Sequence, residues 1–227
     1  MRTFLSLAAL AGFLLTSGAW TGEAVPWQPA PQSDLDAQVR RFLDSRRGYW
    51  HDMNVSDADG RAMFDIIVGH KYKSALEIGT STGHSGIWIA WALSKSGGRL
   101  ITIDIDRYRH EQAVANFKAA GLAPYIDARL GDAHEIVPAL PGPFDFVFSD
   151  ADKEWYINYA KAVLPKISVG GCLVTHNVSE GGWGRNGEYL RYLRSVPDLE
   201  TTLVGRGGGM SVSYKKEAVT GVPEGYR

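Results

Sequence analysis

One cysteine, Cys172, is all the chain has in 227 residues. Without a second thiol there is no internal disulfide and no cysteine metal cluster. Its Gly-Gly-Cys-Leu-Val setting reads as a buried strand. Charge of one sign is also missing, since the formal net charge is -1 and no basic run occurs. That argues against nucleic acid or an anionic membrane surface as a partner held by bulk attraction. No internal repeat is present either. What is present, 44% hydrophobic and 22% charged residues, fits one globular domain with a sizeable core.

The amino terminus stands apart. Arg2 precedes an apolar run over residues 4–15, and Ser17-Gly18-Ala19 puts small residues at cleavage-like positions. Residues 1–19 therefore read as a signal peptide or, if uncleaved, a membrane anchor. With Arg2 on the near side and no basic cluster following, either version exports the domain. Residues 20–33, with Pro26, Pro29 and Pro31, predict an extended linker, and residues 34–227 a single domain.

Apolar spacing predicts helices from Asp34 and after Ser56, then strict alternation. Strands are expected at 75–78, 100–103, 126–130, 144–148 and 172–175, with helices at 84–94, 108–120, 134–140 and 154–164. A short helix at 187–194 leads into strands at 200–204 and 210–214, a closing hairpin. The expected fold is α/β: a doubly wound, Rossmann-like, seven-stranded and mostly parallel sheet, with helices on both faces and a C-terminal antiparallel hairpin. Ligands of such sheets bind at the carboxyl ends of the strands.

Residues 75–85, Ala-Leu-Glu-Ile-Gly-Thr-Ser-Thr-Gly-His-Ser, read as a buried strand breaking into a glycine turn before a helix. The G-x-G-x-x-G spacing of a pyrophosphate cradle is absent and Glu77 is acidic, so the turn suits a cofactor without phosphates. The alternative is an ordinary strand-to-helix turn. On the same rim the parallel sheet would gather Gly79, Asp104, Asp132 to His134, Asp150 to Lys153, and His176 with Asn177. Asp104 is positioned to accept hydrogen bonds from ribose hydroxyls, or is a solvated loop acid. Asp132 and His134 would meet an adenine edge or cap the next helix. Asp150 leaves a nearly all-apolar strand, where an unpartnered carboxylate is costly. With His176 and Asn177 it would offer oxygen and nitrogen ligands to one divalent ion; a satisfied strand-end histidine is the alternative. Lys153 is a candidate base or an exposed lysine.

These residues resemble a known family, the class I S-adenosylmethionine-dependent O-methyltransferases of the catechol and caffeoyl-CoA type. The resemblance runs from about Asp52 to Tyr214. It rests on Met53-Asn54-Val55, Leu76-Glu77-Ile78-Gly79, Leu100-Ile101-Thr102-Ile103-Asp104, Gly131-Asp132-Ala133-His134, Phe148-Ser149-Asp150-Ala151-Asp152-Lys153 and Thr175-His176-Asn177. It implies that Val55, Glu77, Gly79, Ser85, Asp104, Ala133, His134 and Asp150 surround S-adenosylmethionine, with Asp104 on its ribose. It implies a metal held by Asp150, His176 and Asn177, and Lys153 as the base that deprotonates a small hydroxylated acceptor, with His176 also in the catalytic set. The family suggests a monomer or homodimer.

The chain departs from the family where His176-Asn177 stands in place of Asp-Asn. Imidazole for carboxylate weakens the fit to magnesium and favours a softer ion such as manganese, iron or zinc. A metal-independent enzyme using His176 as base, and a non-catalytic cofactor-binding protein, are the competing readings; a nicotinamide oxidoreductase lacks its glycine pattern. Ser81 and His84 occupy positions where the family often places aromatics near the cofactor. Trp183, in the loop over residues 179–187, would stack on the acceptor or pack on its own loop. Asn54-Val55-Ser56 and Asn177-Val178-Ser179 match the glycan acceptor pattern on site loops, so an exported bacterial protein is the expectation. Export sets the domain apart from cytosolic S-adenosylmethionine.

Overall fold

The computed structural model describes residues 32–50, 53–180, 185–204 and 209–216. Residues 1–31, the expected leader and nearly all of the expected linker, lie outside them. Gln32 and Ser33 begin a helix instead, because Asp34 in its first turn complements the helix dipole.

Among the described residues seven strands form one sheet: β1 (Ser74–Ile78), β2 (Arg99–Asp104), β3 (Ile126–Leu130), β4 (Phe144–Ser149), β5 (Ile167–His176), β6 (Leu199–Val204) and β7 (Met210–Lys215). Their order is β3-β2-β1-β4-β5-β7-β6. β1 to β5 pair in parallel, while β7 runs antiparallel to both β5 and β6. The doubly wound sheet with its closing antiparallel strands is as expected, and no described helix is long and apolar enough to cross a membrane.

Among the described residues seven α-helices cover the sheet: α1 (Gln32–Ser45), α2 (Asp57–His70), α3 (His84–Ser94), α4 (Arg107–Ala119), α5 (Ala133–Ala139), α6 (Tyr156–Val163) and α7 (Arg185–Ser195). Side-chain alternation along each strand divides the core in two. Phe146, Phe148, Cys172 and Val174 face one cluster, completed by Val39, Met63, Ile67, Ile87 and Phe117 from the first four helices. Leu76, Ile78, Val147 and Leu173 face the other, with Val137, Tyr156, Val163, Tyr189 and Leu193 from the last three. Cys172 is buried, as its setting predicted.

Two expected boundaries shift. β5 begins at Ile167, five residues earlier than its apolar run implied, with a register irregularity against β4 between Phe144 and Phe146. Gly170, at φ +82, and Gly171, whose added Cβ would meet the Asp145 carbonyl at 2.7 Å, carry that irregularity. The helix expected over 154–164 is instead a 3-10 turn (Lys153–Trp155), then α6, then a second 3-10 turn (Leu164–Lys166), because Asp152 caps the first turn and Pro165 enters the second.

Candidate active site

The parallel register brings the strand ends to one rim. Ile78 pairs with Ser149 and Ser149 with Thr175, so Gly79, Asp150 and His176 become neighbours there. The chain turns sharply after β1 at Gly79, whose φ is +96 and whose added Cβ would lie 2.9 Å from the Asp150 carbonyl oxygen. Only glycine fits such an approach. Gly83, also at φ +96, opens α3.

Glu77 is fully buried beneath this turn. Thr102 Oγ1 donates to its Oε2 at 2.6 Å, while Oε1 has no hydrogen-bond partner. Burial pushes its carboxyl up to about 8, the Ser85 and Thr102 hydroxyls opposing that and the nearby Asp104 and Asp150 adding to it. A buried carboxylate oxygen without a partner fits a cationic ligand, and S-adenosylmethionine carries both a sulfonium and an ammonium group. At the end of β2, Asp104 accepts from Ser81 N at 2.7 Å and Asp106 N at 2.8 Å. At the start of α5, Asp132 accepts from His134 N at 2.8 Å, so the helix-capping alternative is realised. His134 also stacks on Trp155, with centroids 3.9 Å apart, and its Nε2 lies 3.4 Å from Asp152. Ala133 is the first residue of that helix.

Val55 and Ser85 are buried beside the same turn, with Val55 linked to it through His84. His84 Nδ1–H donates to the Val55 carbonyl at 3.0 Å and Nε2 accepts from Trp88 at 3.1 Å. Burial holds its pKa below the ordinary histidine value, against the Val55 hydrogen bond and Asp57. Stacked on Trp50 at 4.5 Å and 1% exposed, His84 belongs to the scaffold. Beside the turn lies a cavity of about 400 Å³, lined among others by Trp50, Thr82, Asp106, Tyr108 and Arg109.

The second half of the rim centres on His176, the last residue of β5. Its Nδ1 is 3.1 Å from Asp150 Oδ2, and its Nε2 is 3.4 Å from Asp59 Oδ2. Burial alone would lower the imidazole pKa, but the hydrogen bond and charge of Asp150, with Asp59 behind them, raise it above the ordinary value. All three side chains are 12–14% exposed. Tyr156 OH donates to the His176 carbonyl at 3.1 Å, fixing the strand end. Asn177 follows with φ 57, a left-handed turn that asparagine tolerates.

The donor set suits a divalent ion: carboxylate, imidazole and amide on consecutive strand ends. As the two groups stand, Nδ1 and Oδ2 are 3.1 Å apart, within hydrogen-bond distance of each other. Among the described residues no three His, Cys, Asp or Glu side chains converge on such a centre. The third donor of this set is an amide.

Lys153 is exposed at the start of its 3-10 turn and makes no hydrogen bond or ion pair with another described residue. Trp183 lies outside the described residues. Asp59, in the first turn of α2, is the residue that sequence reasoning missed. Its only local signal, Ser56-Asp57-Ala58-Asp59, is that of a helix start.

This sheet order, with a glycine turn after the first strand and acids ending the second and fourth, defines a Rossmann-like methyltransferase fold. The family model described as O-methyltransferase matches residues 30–186, and the chain belongs to that family. It is a S-adenosylmethionine-dependent O-methyltransferase. A caffeoyl-CoA O-methyltransferase of Eucalyptus gunnii is 30% identical over 80% of this chain and 70% of its own length. A catechol O-methyltransferase of Niastella koreensis is 41% identical over 57% of this chain and 60% of its own. Among solved structures, the O-methyltransferase TomG from Streptomyces achromogenes in complex with SAM is 26% identical, with a TM-score of 0.68 over 79% of this chain and 90% of that one. Cofactor-bound Rv0187 from MTB is also 26% identical, with a TM-score of 0.70 over 84% and 100% of the two chains.

Proposed function

We propose that the protein transfers a methyl group from S-adenosylmethionine to a hydroxyl of a small phenolic or catecholic acceptor, with a divalent ion held by Asp150, His176 and Asn177. One observation carries this reading: the Asp150–His176 pair stands against the Gly79 turn, where the Asp150 carbonyl is 2.9 Å from the position of a Cβ on Gly79. A cofactor cradle and an acceptor-activating pair are thereby joined. The activities for which the relatives are named, on catechol and caffeoyl-CoA, support a phenolic acceptor.

A phenol with a pKa of about 10 is a poor nucleophile at neutral pH. A bound divalent ion supplies Lewis-acid stabilisation of its oxygen, and the bound cofactor supplies an electrophilic methyl group. In this reading Glu77 faces the cofactor's cationic groups and Asp104 its ribose. Val55, Gly79, Ser85, Ala133, His134 and Asp150 shape the rest of its site. Lys153 Nζ takes the hydroxyl proton, and the rim holds oxygen and methyl in line. His176 in place of a carboxylate turns the ion preference toward manganese, iron or zinc. Residues 1–19 export or anchor the domain, which acts as a monomer or homodimer.

The test is calorimetry with S-adenosylmethionine, then methyl transfer to a panel of catechols with magnesium, manganese, zinc or chelator. Transfer stimulated more by manganese or zinc than by magnesium is expected. Cofactor binding with no transfer to any phenolic hydroxyl would overturn the reading.

A further inference from the structure

Of the seven large apolar side chains that stand exposed among the described residues, four are gathered in one place: Tyr49, Met53, Ile105 and Tyr108. The two segments that carry them meet where Arg109 Nη1 donates to Met53 Sδ at 2.9 Å. Tyr49 and Tyr108, each 72% exposed, also line the cavity of about 400 Å³ beside the glycine turn. Its wall is built from residues 46–50 after α1, Thr82, and residues 106–116 at the start of α4. The ends of β4 and β5, where Asp150 and His176 stand, contribute nothing to that lining, so the cavity is a compartment apart from the metal rim.

The chemistry of the wall is consistent. Arg46 and Arg109 bring two guanidinium groups to it, and Arg46 is held over the Phe42 ring, 5.8 Å from its centroid. The bond from Arg109 to Met53 ends on a thioether, a weak acceptor that a carboxylate displaces. Asp106, the one acid in the lining, is engaged as the cap of α4, its Oδ1 accepting from Arg109 N at 2.9 Å. The positive end of the α4 dipole points the same way. Guanidinium forks hold a carboxylate, exposed tyrosine rings stack a planar group, and the volume is that of a site for a small organic molecule.

We propose that this cavity is a second binding site, for a planar aromatic carboxylate whose charged end lies on Arg46 and Arg109 and whose ring stacks on Tyr49 and Tyr108. The site uses neither the rim nor an ion, so it stands independently of the metal-assisted reading above.

The test is calorimetry of the full chain at pH 8 with cinnamate as the probe, S-adenosylmethionine and EDTA being present. Cinnamate has no phenolic hydroxyl and EDTA removes any ion, so acceptor chemistry at the rim does not hold it. Saturable binding to one site is expected, with cinnamamide, the same ring without the charge, weaker by roughly 10–100-fold. Arg46→Gln combined with Arg109→Gln should weaken cinnamate by the same factor, and Tyr108→Ala by roughly 2–10-fold. Gln112→Glu keeps both arginines but sets a carboxylate in the wall, and should weaken it too. Melting temperature and S-adenosylmethionine affinity report that each variant folds; if the double variant does not, Tyr108→Ala and Gln112→Glu decide. Absence of cinnamate binding, equal binding of cinnamamide, or binding that ignores these substitutions would overturn the proposal. Loss of cofactor binding or of methyl transfer in the unsubstituted protein bears on the methyltransferase reading alone.

Discussion

Glu77 and Thr102 meet side by side on adjacent strands, the Thr102 hydroxyl donating to Oε2 at 2.6 Å while Oε1 of the same carboxylate has no partner. The pairing Glu77↔Thr102 is part of the parallel β1–β2 register. The sheet thus holds an acid in its interior half satisfied.

The first prediction follows from that half. The folded pKa of Glu77 is raised from 4.5 to about 8, so the carboxyl favours its neutral form in the ligand-free protein. Its contribution to stability is full below pH about 4.5, falls as pH rises toward 8, and is level above it. Glu77→Gln should therefore gain melting temperature relative to the parent as pH is raised from 5 to 8, and no further beyond. It should also weaken S-adenosylmethionine binding, since a neutral amide replaces the partner of a cation. Parallel thermal melts and calorimetry check both; a difference in melting temperature independent of pH would contradict the assignment.

Gly79→Ala combines a strained φ of +96 with a Cβ 2.9 Å from the Asp150 carbonyl. A loss of roughly 1–3 kcal/mol in urea unfolding is expected. Cofactor affinity should fall with it, because relief of the clash moves the two sides of the rim apart.

His176→Asp restores the carboxylate that the family pattern has at this position. The expected outcome is a shift of ion preference toward magnesium, read as the ratio of methyl transfer with Mg²⁺ to that with Mn²⁺. Cofactor affinity should change little, since in the proposed function His176 serves the metal and acceptor rather than the cofactor.

Lys153→Met separates chemistry from folding. The residue is exposed, so its removal should change stability by no more than about 0.5 kcal/mol. If it accepts the acceptor's proton, kcat should fall by about 10²–10⁴ and the basic limb of the pH profile should move. An unaltered kcat would assign the proton to water or to His176.

What the sequence made legible was whatever the strand ends dictate. Parallel strands must place the residues that follow them on one edge, and so Gly79, Asp104, Asp150 and His176 could be gathered before any coordinate was known. Less visible were groups whose meaning depends on packing. His84, next to the glycine turn, reads like a ligand neighbour, yet its ring is satisfied by Val55 and Trp88 within the core. Asp59 reads as an ordinary helix-start acid because its partner His176 comes from the far end of the chain. The early start of β5 was hidden because Gly170 and Gly171 look like a loop, while in the fold they let the strand bend against β4.

His176 sits on β5, which is flanked by β4 on one side and β7 on the other, where His176 itself pairs with Met210. The carboxy-terminal pair of strands therefore acts as a guard rail for the strand that carries His176. Were it lost, β5 would become the margin of the sheet, with a row of unpaired amides and carbonyls open to any passing strand. Residues with no chemistry of their own would then decide whether the enzyme stays in solution.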